Sequence, residues 1–454
     1  MKRALLVNPW IYDFKCHDFW IKPYGLMRIS TYLRENGFET EMIDCMDRHD
    51  KDMAVYGTKD RQFGRGDFYQ VELEKSAIYK KVPRKYKRYG FPLEVFNKKL
   101  EAASQPDVVL MASSVTYSYE GVFLAIKLIT ERFPQARIIL GGIYATLCQE
   151  HAKKHSGAAN VWKAEINNNF TSVLNQFAKA DVKTLPVNGL NEIIPDYSFY
   201  TDTPYRVVKF TQGCPFSCTY CAIKQFSQGY YQRDRDCILR ELGRYADAGI
   251  KNIAFYDDAL LYKNNFIKAI LRESIKRNYK FNFHASNGLH AAYIDEETAA
   301  LMKQAGFIEP KISLESSNSN LQKITGGKIT NEVFENAVKN LSKAGFSGND
   351  IGIFILNGLP GQDEKSIMQD VDYLTGLGLK IRHSVYSPIP GTLDFMKLRP
   401  DIRAELANEP LKQNEYYFLA INPEYNWEAN LRVKAVIDRH NTDLGEQTGK
   451  ETDV

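Results

Sequence analysis

From Pro204 onward the chain alternates a short apolar run with a helical repeat six times, and this regularity restricts its fold more than any other feature of its 454 residues. The runs are Arg206 to Thr211, Asn252 to Tyr256, Lys280 to Ala285, Pro310 to Leu314, Asp350 to Leu356 and Lys380 to Tyr386. Between them lie segments such as Asp295 to Ala305 (DEETAALMKQA), followed by Gly306, and Asn331 to Ala344, followed by Gly345. Apolar residues at helical spacing with a glycine just beyond the end predict helices there. Parallel strands joined by crossover helices make an open sheet or an incomplete barrel, and either one places chemistry at the carboxyl ends of its strands.

The first half predicts a second α/β unit. Arg3 to Asn8, Glu39 to Asp44, Val108 to Ala112 and Arg137 to Leu140 read as strands, with helices at Leu26 to Asn36 and Val122 to Arg132. Such alternation predicts a doubly wound, Rossmann-like domain over residues 1–165. Residues 46–104 interrupt it as an irregular or partly helical insertion. Its basic run, YKKVPRKYKRYGFPLEVFNKK, reads as a solvated face. The polar, proline-containing passage 166–203 predicts a linker, and 204–393 the barrel. Residues 394–454 predict a helical extension ending in a disordered polar tail from Asn441.

A formal charge of +4 is too small to imply a nucleic-acid or membrane partner by itself. Apolar runs are too short to span a bilayer, and MKRALLVNPW lacks the pattern of a signal peptide, so the expected address is cytoplasmic. Seven cysteines in such a chain suggest metal or redox chemistry where they cluster.

Three do cluster. TQGCPFSCTYCAIKQF, directly after the first strand of the repeating half, holds Cys214, Cys218 and Cys221 as C-x-x-x-C-x-x-C. Thiolates at this spacing suit an iron-sulfur cluster, with one iron of a four-iron cubane left open to a ligand. A zinc site would want a fourth Cys or His nearby, and Cys237 and His284 are both distant in sequence.

These residues resemble the signature of the radical S-adenosylmethionine superfamily, with Tyr220 as the aromatic residue before the last cysteine. The resemblance implies a partial (β/α)6 barrel, a 4Fe-4S cluster on the three cysteines, and S-adenosylmethionine chelating the open iron. Reductive cleavage to a 5′-deoxyadenosyl radical is the implied reaction, with an electron donor such as flavodoxin or ferredoxin as partner. Phe255-Tyr256-Asp257-Asp258 resembles the motif for the methionine ammonium, and Ser313-Leu314-Glu315-Ser316 the ribose- and methionine-contacting motif. Gly358-Leu359-Pro360-Gly361 and the segment around Pro388 resemble those framing the adenine.

An α/β domain before such a barrel resembles the cobalamin-binding domain of one subgroup. The resemblance rests on Gly25 and Leu26 at the first helix, Ser113 after the third strand, and Gly141 and Gly142 after the fourth. Two departures stand against it. His17 and Asp18 lie where many members carry D-x-H-x-x-G but do not form that motif, and Lys163-Ala164-Glu165-Ile166 replaces an acidic, glycine-containing segment. Cobalamin binding, with methyl transfer or rearrangement, and a vestigial domain in a cobalamin-independent enzyme are both open at this stage. A non-catalytic iron-sulfur or cobalamin sensor is a further alternative. Methylthiolation fits less well, since the first domain lacks a second cysteine triplet. His284 and His290 flank Asn287-Gly288 at the third strand's end and read as structural or substrate-facing. The substrate is not legible.

Overall fold

The computed structural model describes residues 1–163, 165–185, 189–227 and 229–448. Two compact units divide the chain: Met1–Tyr205 with Gln225–Ser227 and Arg399–Asn414, and Arg206–Lys224 with Gln228–Leu398 and Glu415–Val454.

In the first unit five parallel strands, Lys2–Asn8, Phe38–Asp44, Val108–Met111, Arg137–Leu140 and Asn160–Val161, stand in the order second, first, third, fourth, fifth. Leu5, Leu6 and Val7 are buried, as a strand covered on both faces requires. The order reverses between the first and third strands, and doubly wound sheets open their ligand crevice at such a point. The helices Tyr24–Glu35 and Tyr119–Arg132 flank the sheet where apolar spacing placed them.

Two stretches of this unit differ from the sequence reading. The passage read as a linker contains the helix Asn168–Ala178, whose Phe170, Leu174 and Ala178 enter the first unit's core. Asn167 starts it by accepting the amide hydrogens of Asn169 and Phe170. The insertion, expected to be irregular or partly helical, is partly helical and also holds strands. Ile11–Asp13, Tyr86–Tyr89 and Gln70–Leu73 form an antiparallel sheet, followed by the helix Leu93–Ala102. Phe14, Tyr79 and Tyr86 pack together there, with centroids 4.8 to 5.2 Å apart. Three of its lysines are paired locally: Lys85 with Glu72, Lys98 with Asp52 and Lys99 with Asp50.

The second unit carries the six expected strands, at Tyr205–Val208, Asn252–Phe255, Asn282–Ala285, Lys311–Glu315, Gly352–Asn357 and Lys380–Val385. The first three share one sheet with a short strand at Phe307–Glu309, and the last three form another. A parallel bridge between Leu289 and Ile312 connects the two, completing the arc of a partial (β/α)6 barrel. Phe255, Phe283 and Phe307 pack at 5.3 to 5.6 Å inside it. The helices start on local caps: Asp295 accepts the Thr298 amide hydrogen, and Asp363 and Ser366 form a capping box. Gly306 ends Glu296–Ala305 at φ 98°, where a Cβ would stand 2.2 Å from the Phe281 carbonyl oxygen.

The extension also departs from expectation. Helix Trp427–Thr448 runs through the start of the supposed tail, with Arg432 bidentate on Glu364. Asn441 accepts the Ile381 amide hydrogen and donates to the Ile381 carbonyl, pairing the open edge of the last barrel strand. Residues 449–454 lie outside the described residues.

Candidate cluster and cofactor site

The cysteine loop leaves the first barrel strand through Thr211–Gly213, which pairs with Tyr230–Gln232. It is held at several backbone points. The Cys221 amide donates to the Cys218 carbonyl and the Thr219 amide to the Thr325 carbonyl, each at 3.1 Å. Gly326, at φ 124°, lies so close that a Cβ would stand 3.0 Å from the Ser217 carbonyl oxygen. Lys224 donates to the Cys214 carbonyl. Asp394, just past the barrel, accepts from the Thr219 hydroxyl at 2.7 Å and donates its amide to the Thr219 carbonyl at 2.9 Å. A loop this constrained presents its side chains in a set geometry.

All three thiols are free, with Cys221 exposed and the other two part-buried. Burial and neighbouring thiols push Cys214 up and Cys221 up to about 11. All three lie on one short loop, within the span Cys214 to Cys221. A cubane takes one thiolate at each of three corners, and a loop with three Cys and no fourth Cys or His suits it better than zinc.

The neighbouring strand ends converge on the loop. Asp258 accepts the Gly213 amide hydrogen and pairs with Lys209 at 2.9 Å. Asp257 turns inward instead, accepting from the amides of Phe210 and Thr211 and from the Thr211 hydroxyl. Burial raises it to about 6 against those hydrogen bonds. Of the two acids read as ammonium ligands, Asp258 is the one beside the cysteines. Glu315 sits at φ 65°, a left-handed conformation rare for a residue with a side chain. Its carboxylate lies 3.4 Å from Lys328, and burial together with the nearby Glu315 and Cys218 raises the Tyr220 phenol. Ser313 meets Gly288 so closely that a Cβ there would fall 1.8 Å from its Oγ. Pro388 is buried in the loop after the sixth strand.

Unsatisfied polar atoms mark the same end of the barrel. Ser286 Oγ, His290 Nε2, Asn357 Oδ1 and Tyr386 Oη are buried with no hydrogen-bond partner among the described residues. They sit at the ends of the third, fifth and sixth strands. Native chains seldom leave such atoms unmade without cause, and a bound polar cofactor supplies one. His284, by contrast, is satisfied inside the barrel on Asn252 Oδ1. Lys328, Phe216, Asn357 and Asp394 were not singled out from the sequence. Only Gly326-Gly327-Lys328 carried a local signal, two glycines ahead of a lysine.

In the first unit, Ser113 Oγ donates to the Gly141 carbonyl at 2.7 Å. Gly142 (φ 97°) lies against Ser113, with a Cβ position 2.4 Å from its carbonyl oxygen, while Gly141 faces open space. Ser114, Gly142 and Ile143 leave an exposed edge at the ends of the third and fourth strands. Gly25 likewise has open space around its Cβ position, and Leu26 is buried. His17 Nδ1 lies 2.8 Å from Asp67, and burial lowers its pKa. Cys148 is buried on Gln413. Ala164, within the replaced segment, lies outside the described residues.

Six parallel strands that gather a three-thiol loop, facing acids and unsatisfied polar groups at one end define a barrel-top cofactor site. Residues 208–374 match the Radical SAM superfamily, whose members use a 4Fe-4S cluster and S-adenosylmethionine. An uncharacterized methyltransferase, PH0819, of Pyrococcus horikoshii is 26% identical over 217 residues, covering 47% of this chain and 46% of that protein. The ribosomal protein uS12 methylthiotransferase RimO of Clostridium botulinum is 27% identical over 218 residues, covering 45% and 47%. The chain thus spans about half the length of these curated relatives. In fold it is similar to the radical S-adenosylmethionine methyltransferase TsrM of Kitasatospora setae, solved with cobalamin and a [4Fe-4S] cluster bound. That match has a TM-score of 0.62 at 16% identity, covering 87% of this chain and 77% of that one. OxsB, a cobalamin-dependent S-adenosylmethionine radical enzyme solved with aqua-cobalamin, matches at 0.58 and 15% identity, covering 92% and 56%. No helix among the described residues is long and apolar enough to cross a membrane.

Proposed function

We propose that this chain is a radical S-adenosylmethionine enzyme that carries a 4Fe-4S cluster on Cys214, Cys218 and Cys221 and acts together with cobalamin in methyl transfer. The observation that carries the reading is the cysteine loop, clamped at the end of the first barrel strand beside unsatisfied polar groups. When bound, the cluster supplies the electron that cleaves the sulfonium of S-adenosylmethionine. The residues around it bind and orient. Asp258 offers a carboxylate to the methionine ammonium, and a charge-assisted hydrogen bond suits that contact. Ser313 and Glu315 offer acceptors to ribose hydroxyls, with Lys328 pairing with the Glu315 carboxylate. Pro388 and the Gly358–Gly361 turn frame the adenine.

Cobalamin is the second half of the reading. It is supported by the exposed glycine edge at Gly141–Gly142 beside Ser113, and by likeness in fold to two cobalamin-bound enzymes. The substrate and an electron donor such as flavodoxin or ferredoxin complete the proposed partners.

Anaerobic reconstitution with iron and sulfide tests the first half. The expected result is about four irons per chain and release of 5′-deoxyadenosine, or of S-adenosylhomocysteine in methyl transfer, both abolished in the triple Cys→Ala variant. A chain that takes no cluster refutes the reading. Equilibrium dialysis against hydroxocobalamin tests the second half, and failure to retain it leaves a cobalamin-independent enzyme.

A further inference from the structure

The loop after the third barrel strand is placed with unusual firmness for a connection. Asn287 donates to the Asp257 carbonyl at 3.0 Å. Gly288 lies flush on Ser313. The Leu289 amide donates to the Lys311 carbonyl, and the Ser313 amide donates to the Leu289 carbonyl. Next in line stands His290, only 8% exposed. Its ring packs on Phe216 of the cysteine loop at 4.3 Å and on Tyr293 at 5.1 Å.

The tautomer follows from one contact. Nδ1 accepts the Ala292 amide hydrogen at 3.2 Å, so a neutral ring carries its proton on Nε2. Burial, assisted by the charge of Lys328, lowers the imidazole to about 4 and keeps it neutral at pH 7. Nε2–H is then a buried donor with no partner among the described residues. Leaving such a donor unmade costs stability, and it is tolerated where a ligand supplies the acceptor. Its surroundings indicate what kind. Phe216, on which the ring packs, lies between Cys214 and Cys218, so the imidazole stands at the cysteine loop, where thiolates and their cluster carry negative charge. A buried donor there suits an anionic acceptor.

We propose that His290 Nε2–H donates a hydrogen bond to an anionic acceptor bound at the cysteine loop, either a sulfur of the cluster or the methionine carboxylate of S-adenosylmethionine. The inference rests on the cluster reading above. On it, His290 is a positioning and tuning residue that the cysteine motif does not announce.

The test compares reconstituted wild type with His290→Asn, which keeps an oxygen near the Ala292 amide and withdraws the distal donor. Iron and sulfide contents are measured first, and a wild type without cluster would refute the cluster reading rather than this one. If the acceptor is a cluster sulfur, the cluster potential measured without S-adenosylmethionine falls in the variant, because an N–H that favours the added electron is gone. If it is the carboxylate, the potential holds and affinity for S-adenosylmethionine drops roughly tenfold in equilibrium dialysis. His290→Gln, which returns a distal N–H, restores part of either loss. Unchanged potential and unchanged affinity in a fully loaded Asn variant overturn the proposal. Should that variant load no iron, selective 15N-histidine labelling of the wild type decides instead. The Nε2–H resonance must gain exchange protection on cluster or cofactor loading, and no gain overturns the proposal.

Discussion

Thr219 and Asp394 are bonded to each other twice, hydroxyl to carboxylate and amide to carbonyl, across 175 residues of sequence. The cysteine loop is thereby tied to the segment that follows the last barrel strand. Thr219→Val removes the charged bond and leaves the Asp394 carboxylate, 4% exposed, with Lys397 as its remaining ionic partner. The expected cost is about 1.5–3 kcal/mol in denaturant unfolding. Iron retained after desalting should fall with it, while Asp394→Asn, which keeps the shape, should lose less.

The two glycines of the first unit should behave oppositely. Gly142 combines φ 97° and ψ −161° with backbone 2.4 Å from its Cβ position. Gly142→Ala should destabilise the first unit by about 1–3 kcal/mol and lower cobalamin retention without changing iron content. Gly141→Ala meets nothing within 4 Å and should leave the unfolding transition in place. Its effect is expected in dialysis against hydroxocobalamin alone.

Glu309 sets an acid limit on the barrel. Burial opposes its ionisation, but Lys311, Arg382 and Lys380 outweigh burial and bring the carboxyl down from 4.5 to about 2. A carboxyl whose folded pKa lies below its unfolded one stabilises fully above the unfolded value, and that contribution is lost as pH falls from about 4.5 to about 2. Glu309→Gln should therefore cost about 3 kcal/mol at pH 7. It should also flatten the stability profile in that acid window, read by thermal unfolding at successive pH values.

Asn441 seals a strand edge with two hydrogen bonds to Ile381. Asn441→Leu leaves both groups of that residue without this partner, with an expected loss of about 1–2 kcal/mol. Hydrogen exchange at the Ile381 amide should speed up before global stability changes.

What was legible from the sequence was local. Asp295, the apolar positions after it and Gly306 announce a helix within a dozen residues, and it forms there because cap, core face and stop are all near neighbours. Helix Asn168–Ala178 carried the same kind of signal in Phe170, Leu174 and Ala178, but polar residues around it gave it the look of a linker. The insertion's strands are two to four residues long, too short for alternation to register, and they depend on pairing Tyr12 with Arg88 and Val71 with Arg88 across the fold.

The candidate site divides in the same way. Cys214, Cys218 and Cys221 declare themselves by spacing, because a cluster needs thiolates that one short loop can wrap around it. The six-fold alternation of strand and helix likewise determines parallel strands with crossover helices and the end at which their chemistry sits, while leaving open sheet or partial barrel to the tertiary structure. Only the tertiary structure decided that Asp258 rather than Asp257 faces the cysteines, that Lys328 pairs with Glu315, and that His284 is satisfied while His290 is not. Those outcomes depend on which atoms meet across separate strands. Hydrogen-bond satisfaction belongs to the folded arrangement, and no single stretch of sequence contains both partners.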